Sequence, residues 1–208
     1  MAHHCGTVVD VVTGNGFELF VGLDLLDQWR DEDVAHARDD LTGRQVAERE
    51  GRSLGSLVSE WREATAALLP IMRGEQPFPE AVPSIFGGVV INDAVVHEGD
   101  IRFALGLNRA PAGAALSLAL LGYGFSLDYR IRTLGLPPLV LSYDGKTRQV
   151  GGEGDPGATV SATRFDLVRT LASRRTAAEI LDLDWSGNPE LYVPILPEYG
   201  PVRTSTGG

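Results

Sequence analysis

Asn92-Asp93-Ala94-Val95-Val96-His97-Glu98-Gly99-Asp100-Ile101-Arg102 is the densest polar group within an otherwise apolar stretch, and its spacing decides how the chain is read. Val89, Val90, Ala94, Val96, Ile101, Ala104 and Leu105 predict a helix from about Gly87 to Leu107, with Gly106 and Pro111 marking its exit. On a helix, Asp93 and His97 stand four apart and share one face. A carboxylate and an imidazole so placed form a two-point metal platform in helical bundles, and a third ligand must come from another helix. The same spacing also describes an ordinary surface pair.

His3 and His4 are the candidate third ligands, since His36 lies in a very polar stretch and reads as a solvated surface residue. His4 falls on the stripe formed by Val8, Val11 and Val12, whereas His3 is one position off it, so periodicity prefers His4. Two histidines and a carboxylate would leave a coordination position for water or substrate. Cys5 is a possible nucleophile, but it has no histidine in local register and reads as a small buried residue. Ser117 and Ser126 lack a G-x-S-x-G context, and Gly151-Gly152-Glu153-Gly154 lacks the Lys-Ser/Thr of a phosphate loop. Arg169, Arg174 and Arg175 could grip a carboxylate bidentately or serve as structural cations.

The rest of the chain reads as an α+β protein in two parts, residues 1–110 and 111–208, with the boundary near 108–112. The first part is helical. Phe17, Phe20, Val21 and Leu25 give a second apolar stripe. Asp31 to Glu50 is weakly amphipathic, and Ser53 caps a helix burying Leu54, Leu57, Val58, Trp61, Leu68 and Leu69. The second part opens with a helix from about Ala112 to Leu134, stopped by Pro137-Pro138. Strands follow at Leu139–Tyr143, Arg148–Val150 and Thr159–Ala162, with Asp144-Gly145 as a hairpin turn. Short helices at Arg164–Ala172 and Thr176–Leu181 precede an extended, irregular tail.

The 208 residues are 43% hydrophobic and 22% charged, an ordinary globular composition able to bury a core. The net charge of −10 argues against nucleic-acid and anionic-membrane binding. No apolar run reaches a membrane span, and no secretory signal is read at the start. The single cysteine fits a reducing cytoplasm, and the expected state is monomer or homodimer. Lys146 is the only lysine among 18 basic residues, a bias typical of GC-rich genomes.

Three segments together resemble the mycothiol-dependent maleylpyruvate isomerase family. Val96-His97-Glu98-Gly99-Asp100-Ile101-Arg102 with Ala104-Leu105-Gly106 resembles its "H-x-x-D-I-R-x-A-L-G" segment. The run from Arg164-Phe165-Asp166 through Ser173-Arg174-Arg175-Thr176 to Trp185-Ser186-Gly187-Asn188-Pro189 is similar to its "R-x-x-x-G-R-R-S … W-x-G-D-P" ending. Met1-Ala2-His3-His4 is similar to its "V-A-H" stretch. The resemblance implies a DinB-like four-helix bundle followed by a small α+β domain similar to sterol carrier proteins. It implies a divalent metal, usually zinc, held by His3, Asp93 and His97, so that alignment prefers His3 where periodicity prefers His4. It also implies an actinobacterial source, which the arginine bias suits. Asp93 stands where relatives often carry Glu, Ser173 where Gly is common and Asn188 where Asp is common. Relatives usually place a helix with "W-x-V-x-D" before the "V-A-H" histidine. Of two readings, a lost first helix or a misplaced start codon, the second is the expectation.

The function so implied is a metal-dependent, mycothiol-using isomerase or S-transferase acting on a small, maleylpyruvate-like electrophile. The metal would make the thiol a thiolate. Addition to a cis double bond, rotation and elimination would isomerise the substrate; release of the adduct would make a transferase. Arg102 would pair with Asp100 or bind a carboxylate of the cofactor, and one of Arg169, Arg174 and Arg175 would hold the substrate carboxylate. The alternatives are a non-catalytic small-ligand-binding protein with a vestigial site and a regulatory partner acting through the acidic first half.

Overall fold

A computed structural model describes residues 1–17, 31–83, 85–107 and 113–203. The described residues form seven α-helices and a four-stranded mixed sheet, so the α+β class is observed. None of these helices is long and apolar enough to cross a membrane. Chain packing separates two compact units, one reaching His97 and the other beginning at Glu98. The boundary expected at 108–112 lies outside the described residues, as do Phe20, Val21 and Leu25.

The first unit holds α1 (Ala2–Thr13), α2 (Glu32–Ala47), α3 (Leu54–Met72) and the first part of α4 (Phe86–Ala104). Helix α1 packs on both α2 and α3. The polar segment after Asp31 becomes a helix because Asp31 caps it, accepting the Asp33 N–H at 2.9 Å, and Glu32 and Asp33 suit the positive end of its dipole. Only Val34, Leu41 and Gln45 of α2 are buried. Ser53 caps α3 as expected, accepting the Ser56 N–H at 3.2 Å. Helix α3 buries Leu57, Leu68 and Ile71, but Leu54 and Leu69, expected inside, are 65% and 44% exposed. Leu57 and Leu68 are close to three whole turns apart and share a line; Leu69 stands about 100° further round. In α4, Val90, Val95 and Val96 are buried, whereas Ile101, and Leu105 just past its end, both expected inside, are exposed.

The second unit is built on α5 (Ala114–Thr133), whose Leu116, Leu120, Tyr123, Leu127 and Ile131 form a buried stripe at helical spacing. Strands β1 (Leu139–Tyr143) and β2 (Lys146–Val150) are an antiparallel hairpin. Asp144 and Gly145 both have positive φ, 50° and 71°, as a two-residue primed turn demands. Strand β3 (Ala158–Ser161) pairs parallel to β1, and β4 (Asp184–Gly187) pairs antiparallel to β3, giving the order β2-β1-β3-β4. Helices α6 (Arg164–Leu171) and α7 (Ala177–Leu181) lie between β3 and β4, each capped by a threonine, Thr163 and Thr176. Strand β4 was not anticipated. The tail also departs from an extended, irregular run. It opens with a 3₁₀ turn at Pro189–Leu191 and then buries Tyr192, Val193 and Leu196. The Tyr192 hydroxyl donates to the Pro137 carbonyl at 2.8 Å, and Arg130 pairs with Glu198.

Gly151 closes the β2 end of this unit. Its N–H donates to the Asp128 carboxylate at 2.7 Å, its φ is +93°, and a Cβ there would lie 2.2 Å from Ile131 Cγ2. Gly135 also has positive φ, +63°, but nothing lies within 4 Å of a Cβ placed on it. Gly151→Ala is expected to cost about 2–3 kcal/mol and Gly135→Ala about 1 kcal/mol in urea unfolding, the difference being the clash with Ile131. Burial opposes ionisation of Asp128, but the Arg132 guanidinium and the Gly151 N–H outweigh it and hold the carboxyl below its usual range. The stability it contributes is complete above the ordinary aspartate value and is lost as pH falls through the lower folded one. Asp128→Asn should therefore flatten that part of the acid limb of a stability–pH curve.

Candidate metal centre

Helix α1 carries His3 and His4 in sequence, about 100° apart around its axis, and α4 carries Asp93 and His97 one turn apart. All four meet at one carboxylate. His97 Nε2 lies 3.0 Å and His3 Nε2 lies 3.5 Å from Asp93 Oδ1, while His4 Nδ1 lies 2.6 Å from Asp93 Oδ2. The ligand atoms of His3, Asp93 and His97 lie within 4.8 Å of one another. Ligand atoms around a tetrahedral zinc are about 3.3 Å apart, given metal–ligand bonds of about 2.0–2.1 Å. The two measured separations bracket that value, so this group has the dimensions to hold a small divalent cation.

The two adjacent histidines thus have different places. His3 shares Oδ1 with His97, whereas His4, only 8% exposed, holds the other carboxylate oxygen. A carboxylate gripped at Oδ2 presents Oδ1 in a fixed direction. Burial opposes a charge on Asp93, but the hydrogen bonds with His3, His4 and His97 outweigh it and hold the carboxyl far below the usual range. Asp93 is therefore ionised, the form a metal ligand needs.

Gln45, fully buried on α2, stands behind His3: its Oε1 is 2.7 Å from His3 Nδ1, and its Nε2 donates to Asp10 Oδ2 at 2.7 Å. Neither Gln45 nor the role of His4 was anticipated. A signal for Gln45 existed. Val34, Leu41 and Gln45 recur at +7 and +11, which places the glutamine on the one apolar line of an otherwise polar helix. His36 is exposed, as expected.

Cys5 is fully buried, and its thiol donates to Glu60 Oε2 at 3.1 Å. Glu60 in turn accepts from Arg49 Nε and Nη2, each at 3.1 Å, and from Arg52 at 2.8 Å. Burial, and then the hydrogen bond to Glu60, push the Cys5 thiol up from its ordinary value.

The other predicted site residues lie in the second unit. Arg169 and Arg174 both pair with Asp100, at 3.2 Å each, and Arg175 pairs with Asp166. Arg102 pairs with Glu98 at 2.8 Å and not with Asp100, whose two oxygens face Arg169 and Arg174. Phe103 and Phe165 flank the Arg169 guanidinium, at 5.5 and 5.9 Å from the ring centroids. All four arginines line one cleft of about 590 Å³. Compared with protein-family models, curated proteins and solved structures, the chain gives no match.

A buried, protonated thiol is a poor nucleophile. Iodoacetamide should therefore leave Cys5 unmodified in the native protein, and the modified fraction should track the unfolded fraction through a urea titration. Rapid modification without denaturant would reinstate Cys5 as a reactive group.

Proposed function

We propose that this protein is a metal-dependent enzyme that uses a thiol cosubstrate on a small electrophile. By the resemblance of its motifs the thiol is mycothiol, the substrate is maleylpyruvate-like and the reaction is isomerisation or S-transfer. The same resemblance supports a DinB-like bundle for the first unit and a sterol-carrier-like α+β fold for the second. The observation that carries the reading is the convergence of His3, Asp93 and His97 within 4.8 Å. Two imidazoles and a carboxylate are a donor set suited to zinc with a position left open. A bound divalent cation supplies one thing here, a thiol pKa lowered enough for thiolate to be present at neutral pH.

The chain's own residues do the rest. His3 and His97 offer imidazole nitrogens, Asp93 offers an ionised oxygen, and His4 keeps that carboxylate from turning. In the second unit, Arg169, Arg174 and Arg175 are available to an anionic group of the substrate, and Arg102 to one of the thiol cosubstrate. The net charge of −10 supports a small-molecule substrate over a nucleic acid, and the single cysteine fits a reducing cytoplasm. A second reading, a non-catalytic ligand-binding protein, is favoured by one observation: these arginines already face Asp100, Asp166 and Glu98.

Metal content by mass spectrometry separates the two. The untagged protein should retain close to one zinc per chain, and His97→Ala and His3→Ala should lose it. His4→Ala should bind zinc more weakly, by about ten-fold, as loss of a partner behind a ligand does. A wild-type protein that takes up no metal from added zinc would end the enzyme reading. A His4→Ala protein that loses all metal, with His3→Ala unaffected, would exchange the two histidines' roles.

A further inference from the structure

We infer that the cleft of the second unit takes a ligand with a single anionic group on an apolar body, such as an aryl carboxylate, and that Arg203 and Arg175 hold the anionic group. Within the small electrophiles proposed above this selects an amphipathic class, and it rests on that reading only in taking the ligand to be the substrate.

At about 590 Å³ the cleft has the size of a small-molecule site. Its walls come from the last turns of α4, from α6 and α7 with the loop between them, and from Arg203. The arginines on those walls are not equivalent. Arg102 donates from Nε and Nη2 to Glu98, at 2.8 Å each. Arg174 donates from Nε and Nη2 to Asp100 at 3.2 Å, and from Nη1 to the Ala172 carbonyl at 2.8 Å. Both are committed to the protein. Arg169 shares Asp100 with Arg174. Arg175 reaches Asp166 through Nη2, but its Nε is buried and has no partner. Arg203 is exposed, and among the described residues no carboxylate pairs with it.

A buried N–H without an acceptor is costly, and an anionic oxygen at Arg175 Nε would remove that cost. Arg203 is brought to the same place by the backbone. Thr176, the residue after Arg175, bridges in parallel to Arg203, and the Ala177 N–H donates to the Arg203 carbonyl at 2.9 Å. The two side chains therefore leave backbone segments about 5 Å apart. One unpaired cation and one orphaned donor suit one anionic group. A second anionic group would have to draw Arg102, Arg169 or Arg174 away from Glu98 or Asp100.

The rest of the lining is apolar. Phe103, Ala104 and Leu107 line the cleft from the end of α4 and the turn after it, and Phe165 lines it from α6. Phe103 is 78% exposed, a ring that gains burial only when something apolar lies against it. A compact anion such as phosphate would leave that ring in water.

Isothermal titration calorimetry on the whole, metal-free chain tests this, since a bound metal would itself take up carboxylates. The probes are benzoate, benzamide, acetate, maleate and inorganic phosphate. Benzoate is expected to bind at least about ten-fold more tightly than each of the others. Arg203→Gln should weaken benzoate about ten-fold. Arg175→Lys keeps a cation for Asp166 but lacks the Nε donor, and should weaken it as well. Arg73→Gln removes the same charge from the exposed end of α3 and should leave benzoate unchanged. Phe103→Ala should weaken benzoate about three- to ten-fold. Arg203 and Phe103 are exposed, so both variants should melt close to wild type. Benzamide as tight as benzoate, or benzoate unchanged in Arg203→Gln or Arg175→Lys, overturns the inference. Acetate or phosphate as tight as benzoate marks an anion site without an apolar wall, and maleate tighter than benzoate marks a dianion site; either overturns it, as does no binding of benzoate. Zinc uptake by the same chain separates this outcome from the function proposed above. Benzoate bound as expected by a chain that takes up no zinc supports the inference and removes the enzyme reading. Zinc taken up with no preference for benzoate overturns the inference and leaves the enzyme reading in place.

Discussion

The first unit depends on placing one ionised carboxylate, Asp93, where only 17% of its side chain is exposed. A charge so placed is costly unless its oxygens are satisfied. Three imidazoles from two helices do this, two of them adjacent on α1. The pairing ties the start of the chain to a helix ninety residues later, and α1 can then pack on α2 and α3 only in the rotation that sends His3 and His4 toward α4. Gln45 enforces the same rotation from the opposite side, because its amide bridges His3 and Asp10, two residues of α1 seven positions apart on one line. A stack of polar contacts this deep is stable only when complete, so α1, α2 and α4 are fixed together.

Cys5 sits in the same architecture but in a different chemical setting. On the other side of α1, its thiol meets Glu60, which already accepts from Arg49 and Arg52. Arg49 is 4% exposed at its side chain, so this ion pair is a buried one and holds α2's C-terminal end to α3. Two polar clusters therefore bracket α1: one gathers three imidazoles on the Asp93 carboxylate, and the other gathers a thiol and two guanidinium groups on Glu60. That contrast, and not proximity to histidine, separates a ligand-competent group from a structural one.

The helices, the hairpin and the α+β class could be read from the sequence because each has a local signal: Ser53 as a cap, Asp144-Gly145 as a primed turn, Pro137-Pro138 as a stop. Strand β4 could not, since Asp184–Gly187 is a four-residue edge strand that exists only by pairing with β3. The tail was missed for the same reason: Tyr192 and Leu196 are buried by a chain reversal without periodicity. In the candidate site, the i, i+4 spacing of Asp93 and His97 was enough to place both on one face. The choice between His3 and His4 was not local. Both reach Asp93, so a stripe of valines could only say that His4 is the more buried, which it is, with 8% of its side chain exposed against 29% for His3. Ile101 and Leu105 misled because an apolar residue in an apolar helix says nothing about which turn faces solvent.

The arginines of the second unit gather around few carboxylates. Five of them line one cleft with Asp100, Asp166 and Glu179, and Glu98 pairs with Arg102 beside it. Here Asp100 alone faces both Arg169 and Arg174, and Arg169 also lies between two aromatic rings. Two guanidinium groups on one carboxylate leave donors in excess, since each has five N–H groups and the carboxylate about four lone-pair positions. Asp100 thus fixes both side chains in place without using all of their donors.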